Sequence, residues 1–236
     1  MKGHPVRVKS ERFREWNDKM VRKYDPDAFH HHSNPIVRFI EAKRIKAILK
    51  LIHAGKEDRI LEVGCGAGNI LEKTPTGKLF GVDISEFILN KAKKKLVNEV
   101  YLSQADAQNL PFKDQALEIV ICSEVLEHLL DPSESLKEVA RVLNNKGMAI
   151  ISVPNELLIN RIKGILIRLG MFDWLFHRQG EYREMAKNME DEWHLHALPL
   201  HNWLDLFNKS FRVARLKRVP YFWLPLRYVV SLEKII

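Results

Sequence analysis

Ile60-Leu61-Glu62-Val63-Gly64-Cys65-Gly66-Ala67-Gly68-Asn69-Ile70-Leu71 is the stretch whose reading decides the fold. Ile60–Gly64 has the apolar density of a strand buried on both faces, and it runs straight into glycines at 64, 66 and 68 before a helix-like continuation. Glycines at that junction permit a tight turn and let a ligand approach the backbone where side chains would block it. The spacing is G-x-G-x-G, not the G-x-G-x-x-G suited to a pyrophosphate, and no Lys-Ser/Thr pair follows as in a phosphate loop. The loop therefore favours a nucleoside ligand without phosphates.

Outward from this loop, short Val/Ile/Leu-rich runs alternate with helical stretches. Leu79–Asp83, Val100–Ala105, Leu117–Ser123 and Met148–Val153 read as strands. Ser85 is placed to cap a helix through Ile88, Leu89 and Ala92. Asp131-Pro132 followed by Glu134 gives a cap, a first-position proline and a capping-box acid for Ser133–Leu143. Repeated strand–helix–strand succession implies right-handed crossovers and a parallel sheet with helices on both faces. Two acids fall at strand ends, where a nucleoside would lie. Asp83 follows Gly64 by 19 residues and can accept from both ribose hydroxyls, and Asp106 lies beside the adenine position.

The chain has 236 residues, 46% hydrophobic and 29% charged, which suits a globular protein with a substantial core and excludes disordered and collagen-like classes. Its formal charge is +8, distributed as +7 over residues 1–59, −3 over 60–155 and +4 over 156–236. An acidic middle between basic flanks weakens the nucleic-acid reading that the total first invites. Cys65 and Cys122 lack paired-cysteine spacing, so an intracellular, cytoplasmic setting is expected, and no run is apolar and long enough to span a membrane.

Before the glycine loop, Ile36, Phe39, Ile40, Ile45, Ile48, Leu49 and Ile52 recur at helical spacing after Pro35, with Lys43, Arg44, Lys46 and Lys50 on other faces. His30-His31-His32 point in different directions and make a poor metal site. After Val153, Glu156–Phe176 reads as a basic amphipathic helix, Leu200–Phe207 as a short helix and Phe211–Val219 as a strand.

ILEVGCGAGNIL, GVDIS, ADAQNLPF, VICSEVLEHLLDP and VLNNKGMAIISVPN resemble, in order and spacing, the successive motifs of class I S-adenosylmethionine-dependent methyltransferases. The resemblance is strongest to the small-molecule branch that includes ubiquinone and menaquinone biosynthesis enzymes, and covers about residues 55–156. It implies a Rossmann-like α/β fold with a seven-stranded, mostly parallel sheet and a reversed C-terminal hairpin. Residues 1–54 would form a helical cover and 55–236 the methyltransferase domain, with 156–199 an inserted lid after the fifth strand. Carried over to this sequence, Gly64, Cys65, Gly66 and Gly68 line the methionine and ribose portion of S-adenosylmethionine. Glu62 faces its amino group and Asp83 its ribose. Ile84 packs on the adenine, Asp106 and Ala107 meet its edge, and Ser123 presents a backbone carbonyl to the amino group.

A methyl group carried on a sulfonium is already activated, so a base is needed only if the acceptor must lose a proton; His128 is the candidate. Glu124, Glu127 and His128 occur at i, i+3 and i+4. In ubiquinone-type relatives the corresponding residues are associated with a divalent metal, whereas the simpler reading is that EVLEH shapes the helix beneath the cofactor. The expected acceptor is a small apolar or aromatic metabolite, quinone- or lipid-like. The apolar face of the 156–176 helix would serve as lid or as contact with an anionic membrane surface, and Trp174, Trp193, Trp203, Tyr221, Phe222 and Trp223 would line the pocket. Nucleic-acid or protein methylation, and non-catalytic cofactor binding, are the alternatives. Against the first, the chain lacks the Asn/Asp-Pro-Pro-aromatic string typical of base-amine methylation.

Overall fold

The computed structural model describes residues 12–27, 34–97, 99–172 and 193–235. Two helices, α1 (Phe13–Tyr24) and α2 (Pro35–Leu49), precede β1 (Arg59–Val63). Then follow β2 (Lys78–Asp83), α3 (Glu86–Lys95), β3 (Val100–Gln104), β4 (Leu117–Ser123), α4 (Pro132–Val142) and β5 (Leu143–Pro154). The chain continues through α5 (Glu156–Arg168) and α6 (Leu200–Phe207) into β6 (Phe211–Tyr221) and β7 (Leu224–Lys234).

The seven strands form one sheet in the order β3-β2-β1-β4-β5-β7-β6. The first five pair in parallel, while β7 runs antiparallel to both β5 and β6. This is the Rossmann-like arrangement with reversed hairpin that the resemblance implies. Strand order reverses between β1 and β4, and a crevice opens there at the strands' carboxyl ends, the usual ligand position in such sheets.

The period-two geometry of a strand sends alternate residues to opposite faces. Leu61 and Val63 of β1, Val120 and Cys122 of β4, and Ala149 and Ile151 of β5 share one core with α4 and with Trp203 and Phe207 of α6. Their neighbours Ile60, Ile119, Ile121 and Ile150 point to the opposite core, closed by Ile45 and Ile48 of α2 and Leu89 of α3. Strands buried on both faces must be apolar throughout, which is why β1, β4 and β5 read so clearly.

Local signals fared unevenly. Asp131 Oδ1 caps α4 by accepting from the N–H groups of Ser133 and Glu134, at 2.8 and 3.3 Å. Glu134 does not close a capping box: it pairs with Lys137, and the Asp131 N–H donates to Gln108. Ser85 sits at the N-cap of α3 but its hydroxyl donates to Asp18 of α1, so it ties the two helices together instead. The 156–176 helix is described as α5 through Arg168; Phe176 and Trp174, like His30-His31-His32, lie outside the described residues. Arg44, which lies off the apolar stripe by periodicity, is nevertheless only 5% exposed. Trp203 belongs to the core and not to a pocket, and Phe222 and Trp223 form the exposed turn between β6 and β7.

Candidate active site

At the strands' carboxyl ends lies a cavity of about 590 Å³, within the range of small-molecule sites. Its floor is the loop after β1. Gly64 and Gly66 adopt positive φ, 65° and 51°. A Cβ on Gly64 would overlap the Val125 side chain, whereas one on Gly66 would meet nothing closer than Ile88 Cγ1 at 4.0 Å and would stand in the cavity. The two glycines therefore have different tasks, close packing and ligand access. Gly68, also at positive φ, is not on the cavity wall; a Cβ there would strike Leu96 at 2.8 Å. Cys65 reaches the wall, while its thiol packs in the α2–α3 core and is pushed up by burial.

The carboxylates expected from the sequence converge on this floor. Asp83, at the end of β2, accepts from the Gly66 N–H at 3.0 Å through Oδ2 and from the Ser85 N–H at 2.9 Å through Oδ1. Burial raises its pKa to about 6 despite these bonds. Glu62 accepts from the Leu71 N–H, but its Oε2 is buried with no hydrogen-bond partner, and burial lifts the group to about 8. An orphaned acid beneath a cavity is costly unless a cation or donor arrives to meet it. Asp106 is held in a turn, its Oδ1 accepting from the Gln108 N–H at 2.8 Å, and Ile84, Ala107 and Ser123 line the same space.

A buried polar chain brings further residues to the wall of the cavity. The Arg44 guanidinium meets Glu41 at 2.6 Å and donates to the Ser123 hydroxyl; Ser123 and Ser152 hydroxyls are 2.9 Å apart. Ser152 donates to Glu124 at 2.9 Å, and Glu124 pairs with Arg227 of β7 at 2.5 Å. Burial works against the Arg44 charge, but Glu41, Glu124 and Glu62 outweigh it and hold its pKa above the ordinary value.

The walls also carry aliphatic side chains, Ile36, Val37 and Ile40 of α2, Ile159, Ile162 and Leu166 of α5, and Leu224 and Leu226 of β7, with Lys163 of α5 among them. The one buried residue of α5 is Glu156; its apolar face is spent on the cavity and, at Ile165 and Ile167, on solvent.

The EVLEH string does not form the expected helical face. Glu124 has φ +56°, which breaks the chain direction after β4, and only Leu126–His128 makes a single 3₁₀ turn. Glu124 consequently turns to Arg227, and His194 takes its place: Glu127, His128 and His194 each bring a ligand-type atom within 4.8 Å of the others. Burial, with Glu124 and Glu156 adding to it, holds Glu127 well above the ordinary carboxyl range, and burial with His194 beside it holds His128 well below the ordinary imidazole range. His128 lines the cavity with Nδ1 3.1 Å from the Trp193 carbonyl and its ring stacked on Trp193, which stacks in turn on Tyr24 of α1. Trp193 lines the cavity as expected, whereas His194 is the residue that sequence reasoning passed over; the signal available was the compact Trp193-His194-Leu195-His196 string before α6.

Residues 61–151 match the methyltransferase domain family. This stretch is a methyltransferase domain. Its family implies S-adenosylmethionine as cofactor. The chain is 34% identical over 137 residues to a demethylmenaquinone methyltransferase of Staphylococcus aureus, covering 55% of this chain and 54% of that protein. It is 31% identical over 140 residues to the uncharacterised methyltransferase YcgJ of Bacillus subtilis, covering 56% and 55%. The chain spans about half the length of these curated relatives. In fold it is similar to an S-adenosylmethionine-dependent methyltransferase of Thermotoga maritima, with a TM-score of 0.66 at 18% identity over 94% of this chain and 100% of that one. Among the described residues no helix is long and apolar enough to cross a membrane.

The floor residues fit this cofactor. The buried, unpartnered Glu62 Oε2 suits its ammonium group, Asp83 suits vicinal ribose hydroxyls, and the absence of a lysine or arginine at the glycine loop suits a ligand without phosphates.

Proposed function

We propose that the protein is an S-adenosylmethionine-dependent methyltransferase whose acceptor is a small, neutral, apolar or aromatic molecule, quinone- or lipid-like. Residues 1–54 act as its helical cover and 156–199 as its lid. The observation that carries this reading is the mixed lining of one cavity: glycines and acids from the strand ends, aliphatic side chains from α2, α5 and β7, and the Arg44–Ser123–Ser152–Glu124–Arg227 chain beside them.

Bound S-adenosylmethionine supplies a methyl group already activated by the sulfonium charge. What remains for the protein is placement, and holding acceptor and methyl carbon in line is worth up to about 7–11 kcal/mol. In this reading Glu62, Gly64, Cys65, Gly66, Asp83, Ile84, Asp106, Ala107 and Ser123 hold the cofactor. Gly68 shapes the loop from behind. Both arginines on the cavity wall meet a carboxylate, Arg44 with Glu41 and Arg227 with Glu124, so their charges are balanced within the protein. Aliphatic walls then select by burial, at roughly 25 cal/mol per Å² of apolar surface.

Peripheral contact with an anionic membrane extends the same reading. Phe222 and Trp223 are 76% and 74% exposed at the β6–β7 turn, with the Arg218 guanidinium 4.8 Å over the Phe222 ring. Co-sedimentation with phosphatidylglycerol vesicles should fall on the double substitution Phe222→Ser, Trp223→Ser, and absence of wild-type binding would remove this extension alone. The main test is transfer of labelled methyl from S-adenosylmethionine into a solvent-extracted pool of lipids and small metabolites. Label is expected in an apolar product; label confined to protein or nucleic acid would overturn the acceptor class.

A further inference from the structure

We infer that His194, backed by Glu156, is the base that takes a proton from the acceptor, so that the acceptor atom is a hydroxyl oxygen. This rests on the function proposed above and replaces the sequence-based candidate His128.

Glu156 is the first residue of α5 and is 1% exposed. Its Oε1 lies 2.7 Å from Nδ1 of His194. A carboxylate on Nδ1 fixes the proton on that nitrogen and leaves Nε2 with its lone pair, in a ring that lines the cavity. A buried carboxylate behind a histidine also stabilises the imidazolium that forms on proton uptake.

The ring is held unusually firmly for a residue outside any helix or strand. The Leu195 and His196 N–H groups both donate to the Glu127 carbonyl, at 2.8 and 3.1 Å, and His196 Nε2 meets the Leu129 carbonyl at 2.8 Å. On the other side, the Trp193 carbonyl meets His128 Nδ1, and the His128 ring packs edge-on against His194 with centroids 4.6 Å apart. The segment is thus fastened to the 3₁₀ turn on both sides of His194, which is what a proton acceptor needs to stay within reach of one substrate atom. His128, by contrast, spends its Nδ1 on the neutral Trp193 carbonyl.

The charged and titratable groups around His194 are Glu156 and Lys163 of α5, Glu127 and His128 of the 3₁₀ turn, Glu124 and, on β7, Arg227. Burial lowers its pKa, with Glu124 opposing and Arg227 and Lys163 assisting, so the resting ring is neutral near pH 7. In the transfer, the hydroxyl oxygen forms the new O–CH₃ bond, the breaking S–CH₃ bond leaves its electron pair on sulfur, and the hydroxyl proton passes to Nε2. The positive charge lost from sulfur reappears on an imidazolium beside Glu156.

Two measurements on the full chain test this. In long-range ¹H–¹⁵N spectra at pH 7, His194 should show the proton on Nδ1 and a bare Nε2; a proton on Nε2, a charged ring, or a ring nitrogen bound to added Mn²⁺ or Zn²⁺ would overturn it. In labelled-methyl transfer to the apolar extract, His194→Gln should lose about 10²–10⁴-fold of the rate, and Glu156→Gln should lose less and shift the acidic limb of the pH profile. Both variants should bind S-adenosylmethionine within twofold of wild type by calorimetry. Wild-type transfer in His194→Gln with normal cofactor binding would also overturn the inference. Failure of the wild-type chain to bind S-adenosylmethionine would instead overturn the proposed function.

Discussion

The two halves of the cavity are built in opposite ways. The acidic half comes from consecutive strand ends within residues 62–123, where short-range patterns fix each group: a strand, a glycine turn, and an acid at the next strand's end. The aliphatic half is assembled from α2, α5, the 193–194 segment and β7, residues up to about 190 apart in the chain. A site made from local motifs can be read as a string, and one made by convergence cannot. The same contrast separates function, since the local half suits a fixed cofactor and the convergent half is free to suit a particular acceptor.

Substitutions should separate the halves cleanly. The largest effect is expected for Asp83→Ala, which removes two charge-assisted bonds of about 1.5–3 kcal/mol each and should weaken S-adenosylmethionine binding at least ~100-fold by calorimetry. Next, the two glycines should part company. Gly64→Ala combines positive φ with overlap on Val125 and should cost about 2–4 kcal/mol of stability in urea unfolding. Gly66→Ala should cost only about 1 kcal/mol while placing a methyl group in the cofactor's space, so its loss appears in binding. On the acceptor side, Ile162→Asn should leave cofactor affinity within twofold and raise the acceptor KM about tenfold, corresponding to about 1.4 kcal/mol.

The smallest effect concerns pH. Glu62 and Asp83 have pKa values raised in the folded protein, to about 8 and about 6 from ordinary values of 4.5 and 3.8. Their contribution to stability is full below the ordinary values and is lost as pH rises through 6 and then 8. His194, lowered to about 4 from 6.5, acts oppositely, adding stability as pH rises between those values. Above pH 6.5 Glu62 and, in the same direction, Glu127 are left, so the ligand-free melting temperature should decline from pH 6.5 to 8. A bound cation requires ionised Glu62, so S-adenosylmethionine affinity should rise over that interval, approaching tenfold per pH unit below 8. A melting temperature that climbs from 6.5 to 8 would show that Glu62 is ionised without the ligand.

Much of the fold was legible because β1, β4 and β5 are buried on both faces and carry almost uninterrupted Val, Ile and Leu. Leu117–Ser123 and Leu200–Phe207 match the observed elements residue for residue. Of the final hairpin, β6 is legible as Phe211–Val219, whereas β7 and the reversed direction came from resemblance and not from pattern. The burial of Arg44 was not legible because helical periodicity sets a charge off the apolar stripe and cannot see that Glu41, one turn earlier, neutralises it inside the protein. EVLEH was misread because i, i+3, i+4 spacing means a shared face only on a helix, and Glu124 leaves helical geometry. His194 could not be assigned from the string at all. Its partner Glu156 lies 38 residues away, and only folding brings the two within hydrogen-bond distance.

The most direct test of the account is a calorimetric titration of the full chain with S-adenosylmethionine at pH 7.5, run beside Asp83→Ala and Ile162→Asn. One site per chain, abolished by Asp83→Ala and unchanged by Ile162→Asn, is the predicted result. No binding to the wild-type chain, or binding lost equally in both variants, would contradict the division of the cavity into a cofactor half and an acceptor half.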